Sequence, residues 1–402
     1  MKLAPALLER WMREYYFAVE IDIGGSGVED FSLGELRRLL TGLEQNVLDR
    51  LVFHDSLTLG GADLRRAISE RWGDGSPERV MATHGSSEAI YLIMNALLQA
   101  GDEVVVLDPC YPQLHLIAQG IGCHVKKWRL RFEDEYAPDL DALEELLGSG
   151  TRMVVVNFPH NPTGTSLSPE QHQRLLAIVA RTGAYLVWDN AFGELTYEHD
   201  PLPDPILTYE RAISMGTLSK AFGLPGLRVG WCLAAPVVLQ QLVHLRDYVT
   251  LHLSPLIELI ATRVIEECPV LIGIRLEQAR KNLEILAMWM AAHDGLIEWA
   301  RPHGGVCTFP RINGLADTEE FCHRMAQSEK TLLVPGNCFE HPQHVRLGFG
   351  GPHDVFREGL SRLSRMLHAV AEGSRPAMVA AVPQNRTQHA TLRGRGVRTC
   401  PQ

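Results

Sequence analysis

Three short runs, EVVVLD (103–108), RMVVVNF (152–158) and AYLVWDN (184–190), are uniformly apolar and rich in valine instead of alternating apolar with polar. Strands covered on both faces carry that pattern, and such strands are usually parallel. Between the runs the spacing turns helical: from Ser87 to Leu98, the residues Ile90, Ile93, Met94 and Leu97 fall on one side. Alternation of the two patterns predicts β-α-β units and a mainly parallel sheet with helices on both faces. A long helical pattern from about Ser254 to Ala292 contains Pro269, which should break or kink it. After it, roughly over 295–370, GGVCTFP, TLLVPG and HVRLGFG predict the strands of a smaller α+β domain.

Composition narrows the function classes. The chain has 402 residues, 46% hydrophobic and 21% charged, which are globular proportions for a length that usually outgrows one core. A net charge of −10 without a long basic stripe before the C-terminus argues against nucleic acid or anionic membrane as a partner. No uncharged apolar stretch approaches the roughly 18 residues of a membrane helix. The N-terminal MKLAPALLERWMREYYF carries charges where a secretory signal needs an apolar stretch. Eight scattered cysteines, with no C-x-x-C pair or metal-ligand spacing, read as reduced thiols, so the expectation is a cytoplasmic protein without a metal site.

Four segments carry candidate chemistry. In SMGTLSKAFGLPGLRVGW (214–231), Lys220 follows Thr217 and Ser219 and precedes Arg228. A lone loop lysine reads as solvated surface, but two hydroxyls and a guanidinium beside an amine suit a phosphate-bearing cofactor. In THGSSEAIYLIMNALL (83–98), Gly85, Ser86 and Ser87 open a helix whose free amides and dipole attract phosphate; a plain serine N-cap is the alternative. VVVNFPHNPTGTSLS (154–168) ends a buried run in a turn with Asn161, a weak signal by itself. VWDNAF (187–192) ends another with Asp189, placed where open α/β sheets bind ligands unless it only caps the next helix.

Together, in this order, Lys220 in its S/T-x-S-K-x-F-G-L-x-G-x-R setting, the NPTG turn, Asp189 and the G-S-S helix start resemble the class I/II aminotransferase group of fold-type I pyridoxal-phosphate enzymes. The resemblance spans about residues 20–370. It implies a large domain with a mainly parallel sheet over 46–270 and a small C-terminal domain over 271–370. An N-terminal segment, 1–45, would join the small domain and cover the site, and 371–402 is read as a disordered basic tail. Lys220 would carry pyridoxal 5'-phosphate and move protons, and Asp189 would pair with the pyridine nitrogen. Asn161 would bond the ring hydroxyl, and Tyr111, in DPCYPQ, would stack on the ring. Gly85, Ser86, Ser87, Thr217, Ser219 and Arg228 would hold the phosphate. Arg346, in HVRLGFG, would grip the substrate carboxylate, unless it is a surface arginine. A homodimer with shared sites is implied as well.

Two departures qualify the match. Phe192 stands where most of the group has a tyrosine donating to the ring hydroxyl, and Asp55 stands where a tyrosine usually reaches the neighbouring subunit's phosphate. A carboxylate repels phosphate, so Asp55 should meet a cation or act only as a cap. With these departures, IDIGGSGVEDFSLGELR, THGSSEA, LRDYVTLHLSPL and PHGGV resemble a branch of the group that cyclises hydroxylated arginine. That branch implies a guanidinium-bearing amino acid as substrate and attack of its own guanidine nitrogen on the carbon that loses the hydroxyl. Asp55, Glu9 and Glu29 are the candidate carboxylates for the guanidinium, and Ser26 and Gly27 would lie over the substrate. His84 and His160 are candidate acids for hydroxyl loss, or packed and capping histidines. The motifs do not separate 3-hydroxyarginine from 4-hydroxyarginine, and transamination of a basic amino acid is the other reading.

Overall fold

The computed structural model describes residues 3–373. Its centre is a seven-stranded sheet built from β2 (Val80–Thr83), β3 (Glu103–Asp108), β4 (His124–Arg129), β5 (Thr151–Asn157), β6 (Tyr185–Asp189), β7 (Ala212–Thr217) and β8 (Gly230–Leu233) in the order β2-β8-β7-β6-β5-β3-β4, while a two-residue β1 (Ile21–Asp22) lies outside it. The pairs from β7 through β4 are parallel, and β8 runs antiparallel to both of its neighbours. The three apolar runs read from the sequence are β3, β5 and β6. Val154, Val155 and Val156 of β5 and Leu186 and Val187 of β6 are all sealed from water, as a doubly covered sheet requires. Four strands of this sheet escaped the apolar-run criterion for different reasons. β4, HVKKWR, is the sheet edge and carries basic side chains, β7, AISMGT, is interrupted by serine, glycine and threonine, and β2 and β8 are only four residues each.

The helical pattern around Pro269 resolves into two helices, Pro255–Glu266 and Cys268–Ala292, with the proline in the first turn of the second, where its missing amide hydrogen costs nothing. The later region forms β10 (Cys307–Thr308), β13 (Val334–Pro335) and β14 (Val345–Gly348) as one antiparallel sheet, preceded by β9 (Ile297–Glu298), which pairs with β11 (Arg311–Ile312). β1 pairs in parallel with β12 (Thr331–Leu332), so the start of the chain is stitched to its last third. A helix over His353–Ala371 follows, and the rest of the basic tail read from the sequence, 374–402, lies outside the described residues. Among the described residues, no helix is long and apolar enough to cross a membrane.

Glycines fix how closely β8 approaches the helix Gly85–Leu97. A Cβ on Gly230 would sit 2.5 Å from the backbone carbon of Gly85 and 2.6 Å from the amide nitrogen of Ser86. Backbone atoms cannot swing aside as side chains can, so Gly230→Ala should push the helix start away and lower the melting temperature, at a cost of about 1–3 kcal/mol. Gly273, exposed within the helix Cys268–Ala292 and with open space around its Cβ position, should respond oppositely. Gly273→Ala should gain about 0.5–1 kcal/mol and raise the melting temperature, and a calorimetric comparison of the two variants checks both signs.

Candidate active site

Parallel strands deliver their C-terminal ends to one edge of the sheet, and the polar residues gather there. Asn157 closes β5, Asp189 closes β6, and Thr217 closes β7 with Lys220 three residues on. Asn157 and Asp189 are register partners, and the Asn157 side-chain amide donates to the Asp189 carbonyl at 2.8 Å. The Asn157 side-chain oxygen accepts the Asn161 amide, also at 2.8 Å, so one asparagine ties the NPTG turn to two strand ends. These residues line a cavity of about 450 Å³.

One end of the cavity is a cradle of donors. Ser86 and Ser87 stand in the first turn of the helix Gly85–Leu97, whose N-cap is His84; the His84 side chain makes no cap bond, while Glu88 accepts the His84 backbone amide at 2.5 Å. Neither serine caps the helix, and its first amides and positive dipole end face the cavity region uncapped by a side chain. Thr217 Oγ1 lies 3.0 Å from Ser219 Oγ, and Arg228 donates to Ser219 Oγ at 3.3 Å. Arg228 is exposed and held at φ 54°, a left-handed conformation that costs a non-glycine residue free energy and is retained where the side chain must be aimed. Gly85 lets it approach, since a Cβ there would meet the guanidinium at 2.5 Å. Hydroxyls, a helix start and a guanidinium on one small volume fit a phosphate group.

The floor holds two charges with displaced proton affinities. Asp189 is buried; burial pushes its carboxyl up to about 6, against the pull of the Ala191 amide, which donates to it at 3.1 Å, and of the nearby Lys220. Lys220 is pushed down to about 8, first by burial and then by the Arg346 guanidinium, and its Nζ donates to Ser26 Oγ at 3.1 Å. Arg346 is 2% exposed and has no ion-pair partner among the described residues. It donates to the Gly24 carbonyl at 3.0 Å and to Asn161 Oδ1 at 3.2 Å, which rules out the surface-arginine alternative. A buried guanidinium without a carboxylate is an open anion site. Tyr111 and Phe192 supply aromatic faces to the same cavity.

Other candidates fall elsewhere. Gly27 does not line the cavity, although its neighbour Ser26 does, and the Val28 amide donates to the Lys220 carbonyl at 3.4 Å. Asp55 stands outside the part of the site that this chain forms; its side chain is 99% exposed and paired with His252 at 3.2 Å. Glu29 is bound to Arg275 at 3.0 Å. His84 interacts with Glu88, while His160 is buried against Thr163 at 2.8 Å and pushed down to about 3 by burial, so neither histidine lines the cavity. Conversely, Asn157, Met12, Arg13, Tyr16 and Phe17 do line it and were not picked out from the sequence. Asn157 ends an apolar run just as Asp189 does, a signal that pointed to it; the other four show only once the N-terminal helix is placed.

The family model described as aminotransferase class I and II matches residues 49–363. The chain belongs to this family. It is 44% identical to capreomycidine synthase of Streptomyces vinaceus over 376 residues, 93% of this chain and 96% of that protein. Aspartate aminotransferase of Thermotoga maritima is 26% identical over 76% of this chain and 81% of its own length. Among solved structures, the PLP-dependent cyclase OrfR superposes with a TM-score of 0.88 at 44% identity, covering 92% of this chain and 98% of that one. A PLP-dependent aminotransferase from Streptococcus suis 89-1591 gives 0.86 at 29% identity, with the same coverage of both chains.

The displaced Lys220 amine has a direct readout. A neutral amine attacks carbonyl carbon and an ammonium does not, so the reactive fraction rises as pH passes the group's own pKa. Reductive methylation of cofactor-free protein, mapped by peptide mass spectrometry, should modify Lys220 with a midpoint near pH 8. A midpoint for Lys220 near the model-peptide lysine value of about 10.4 would contradict the assignment.

Proposed function

We propose that this enzyme cyclises a hydroxylated L-arginine, 3-hydroxyarginine to capreomycidine, with pyridoxal 5'-phosphate as cofactor. The observation that carries the reading is the 44% identity to capreomycidine synthase along 93% of the chain. The cavity is compatible with it residue by residue. Ser86, Ser87, Thr217, Ser219 and Arg228 would hold the phosphate, Tyr111 and Phe192 would flank the ring, and Asn161 would face its hydroxyl. Asp189, short of cationic partners and raised by burial, is suited to a protonated pyridine nitrogen, which would stabilise its charge. Arg346 would receive the substrate carboxylate as a paired hydrogen bond.

When bound, pyridoxal phosphate supplies a covalent hold on the substrate amine and an electron sink for the α-carbon. Lys220 Nζ, neutral at pH values above about 8, is the group placed to take the α-proton. The β-hydroxyl then leaves with a proton as water, the attacking guanidine nitrogen gives up an N–H proton as it bonds to the β-carbon and so replaces the one carried off in the water, and the proton on Lys220 returns to the α-carbon. Atoms balance as substrate giving cyclic product and one water, with no oxo acid consumed. Ser26 Oγ, 3.1 Å from Nζ, would steer the amine between these positions. Holding nucleophile and electrophile in one molecule replaces a bimolecular encounter.

The reading includes a homodimer. Val52, Phe53, Leu57, Tyr248 and Leu251 are exposed apolar side chains on the segments that carry the Asp55–His252 pair, a surface that a second copy would cover. Asp55 would then act in the partner's site. Mixing inactive Lys220→Ala with inactive Asp55→Ala under proven subunit exchange should restore activity; no recovery would remove the assignment.

Mass spectrometry of purified enzyme given arginine, 3-hydroxyarginine or 4-hydroxyarginine, with and without 2-oxoglutarate, tests the reaction. Loss of one water from 3-hydroxyarginine without oxo acid is expected, with ring closure visible by NMR. Reaction confined to 4-hydroxyarginine moves the chemistry to the γ-carbon. A keto product formed only with oxo acid makes the enzyme an aminotransferase and overturns the reading.

A further inference from the structure

We propose that Glu9, on the N-terminal helix, receives the guanidinium of the substrate and thereby sets the preference for a cationic side chain. The proposal rests on the hydroxyarginine reading above. Of the carboxylates considered, Glu29 is committed to Arg275 and Asp55 to His252, both outside the cavity. The lining holds two carboxylates, Glu9 and Asp189. Asp189 is buried at the end of β6, the position matched to the ring nitrogen. That leaves Glu9 as the anion this chain offers to a cationic side chain.

Its geometry is prepared for that task. Tyr111 donates its hydroxyl to Glu9 Oε1 at 2.8 Å, while Oε2 has no hydrogen-bond partner among the described residues. One oxygen is thus oriented and the other left open, so an incoming guanidinium finds a fixed carboxylate plane. Glu9 is half-buried, where a charge-assisted bond is less screened than at the surface.

The helix that carries it, Leu7–Tyr15, has two working faces. Leu8, Trp11 and Tyr15 pack inward, with Trp11 Nε1 donating to the Leu333 carbonyl at 2.8 Å and the Tyr15 hydroxyl 2.5 Å from His323 Nδ1. Glu9, Met12, Arg13 and Tyr16, at helical spacing, line the cavity. The anchoring face therefore fixes the position of the selecting face. Arg13 follows Glu9 by one turn but is exposed, where solvent screens its repulsion of a second cation.

L-Arginine and L-citrulline separate the charge from the shape of the side chain, because citrulline replaces the guanidinium with a neutral ureido group of similar size. Binding of each to the holoenzyme is read from the change in cofactor absorption. Wild-type enzyme should bind arginine more tightly than citrulline, and Glu9→Gln should weaken arginine by about 10–100-fold while leaving citrulline nearly unchanged. Glu9→Asp, which keeps the charge, should retain a preference for arginine. Equal weakening of both ligands by Glu9→Gln, or full retention of the arginine preference, overturns the proposal and leaves the reaction standing. A wild-type enzyme indifferent to the guanidinium overturns the proposal together with the substrate reading.

Discussion

A sheet buried on both faces leaves polar chemistry only at its strand ends, and that constraint organises this molecule. β5, β6 and β7 run parallel and in register, so Asn157 and Asp189 stand side by side and Thr217 closes the next strand. No loop has to travel far to bring Asn161, Asp189 and Lys220 together. Valine-rich strands make the layer rigid, and the same burial that stabilises it displaces the proton affinities at its edge.

That displacement acts in opposite directions on the two central charges. Removing water disfavours a carboxylate and an ammonium alike, so Asp189 rises to about 6 and Lys220 falls to about 8. Both pKa values are thereby drawn toward neutral pH, so Asp189 is a carboxylate short of a cation above about 6 and Lys220 becomes a nucleophilic amine above about 8. Arg346 strengthens the effect on Lys220 because its own charge has no carboxylate to offset it. The site is built of charges held apart from their natural partners, which costs stability within the apo chain and favours a ligand that supplies those partners.

Much of this was legible in the sequence because period and order carry it. The run EVVVLD coincides with β3 at both ends, and the runs for β5 and β6 agree to within a residue. The four motif segments meet in one cavity. What stayed hidden depended on orientation. Sequence offered Glu9, Glu29 and Asp55 as equals, and only the packing of Trp11 and Tyr15 turns Glu9 inward while Arg275 draws Glu29 away. His160 sits inside the NPTG turn yet points into the core, since a turn's identity does not say which side chains it buries. β4 was missed because an edge strand must be protected by charge, which erases the apolar run.

The charges of the cavity supply the last step of the argument. Its lining presents Arg228, Arg346, Lys220 and Arg13 against Asp189 and Glu9, a cationic excess in a volume of about 450 Å³. On the proposed reading, a phosphate at Arg228 and a carboxylate at Arg346 would offset two of these, and Lys220 loses its charge above about pH 8. A pyridinium at Asp189 and a guanidinium at Glu9 then complete the pairing, leaving Arg13 in solvent at the mouth. An amino acid with a neutral side chain would leave Glu9 with only its tyrosine, and one with an acidic side chain would face a carboxylate in a half-buried setting. On the proposed reading, selection for a cationic substrate would follow from the arrangement of charges in the cavity, and it would place specificity on the N-terminal helix, apart from the strand ends proposed to carry the proton transfer.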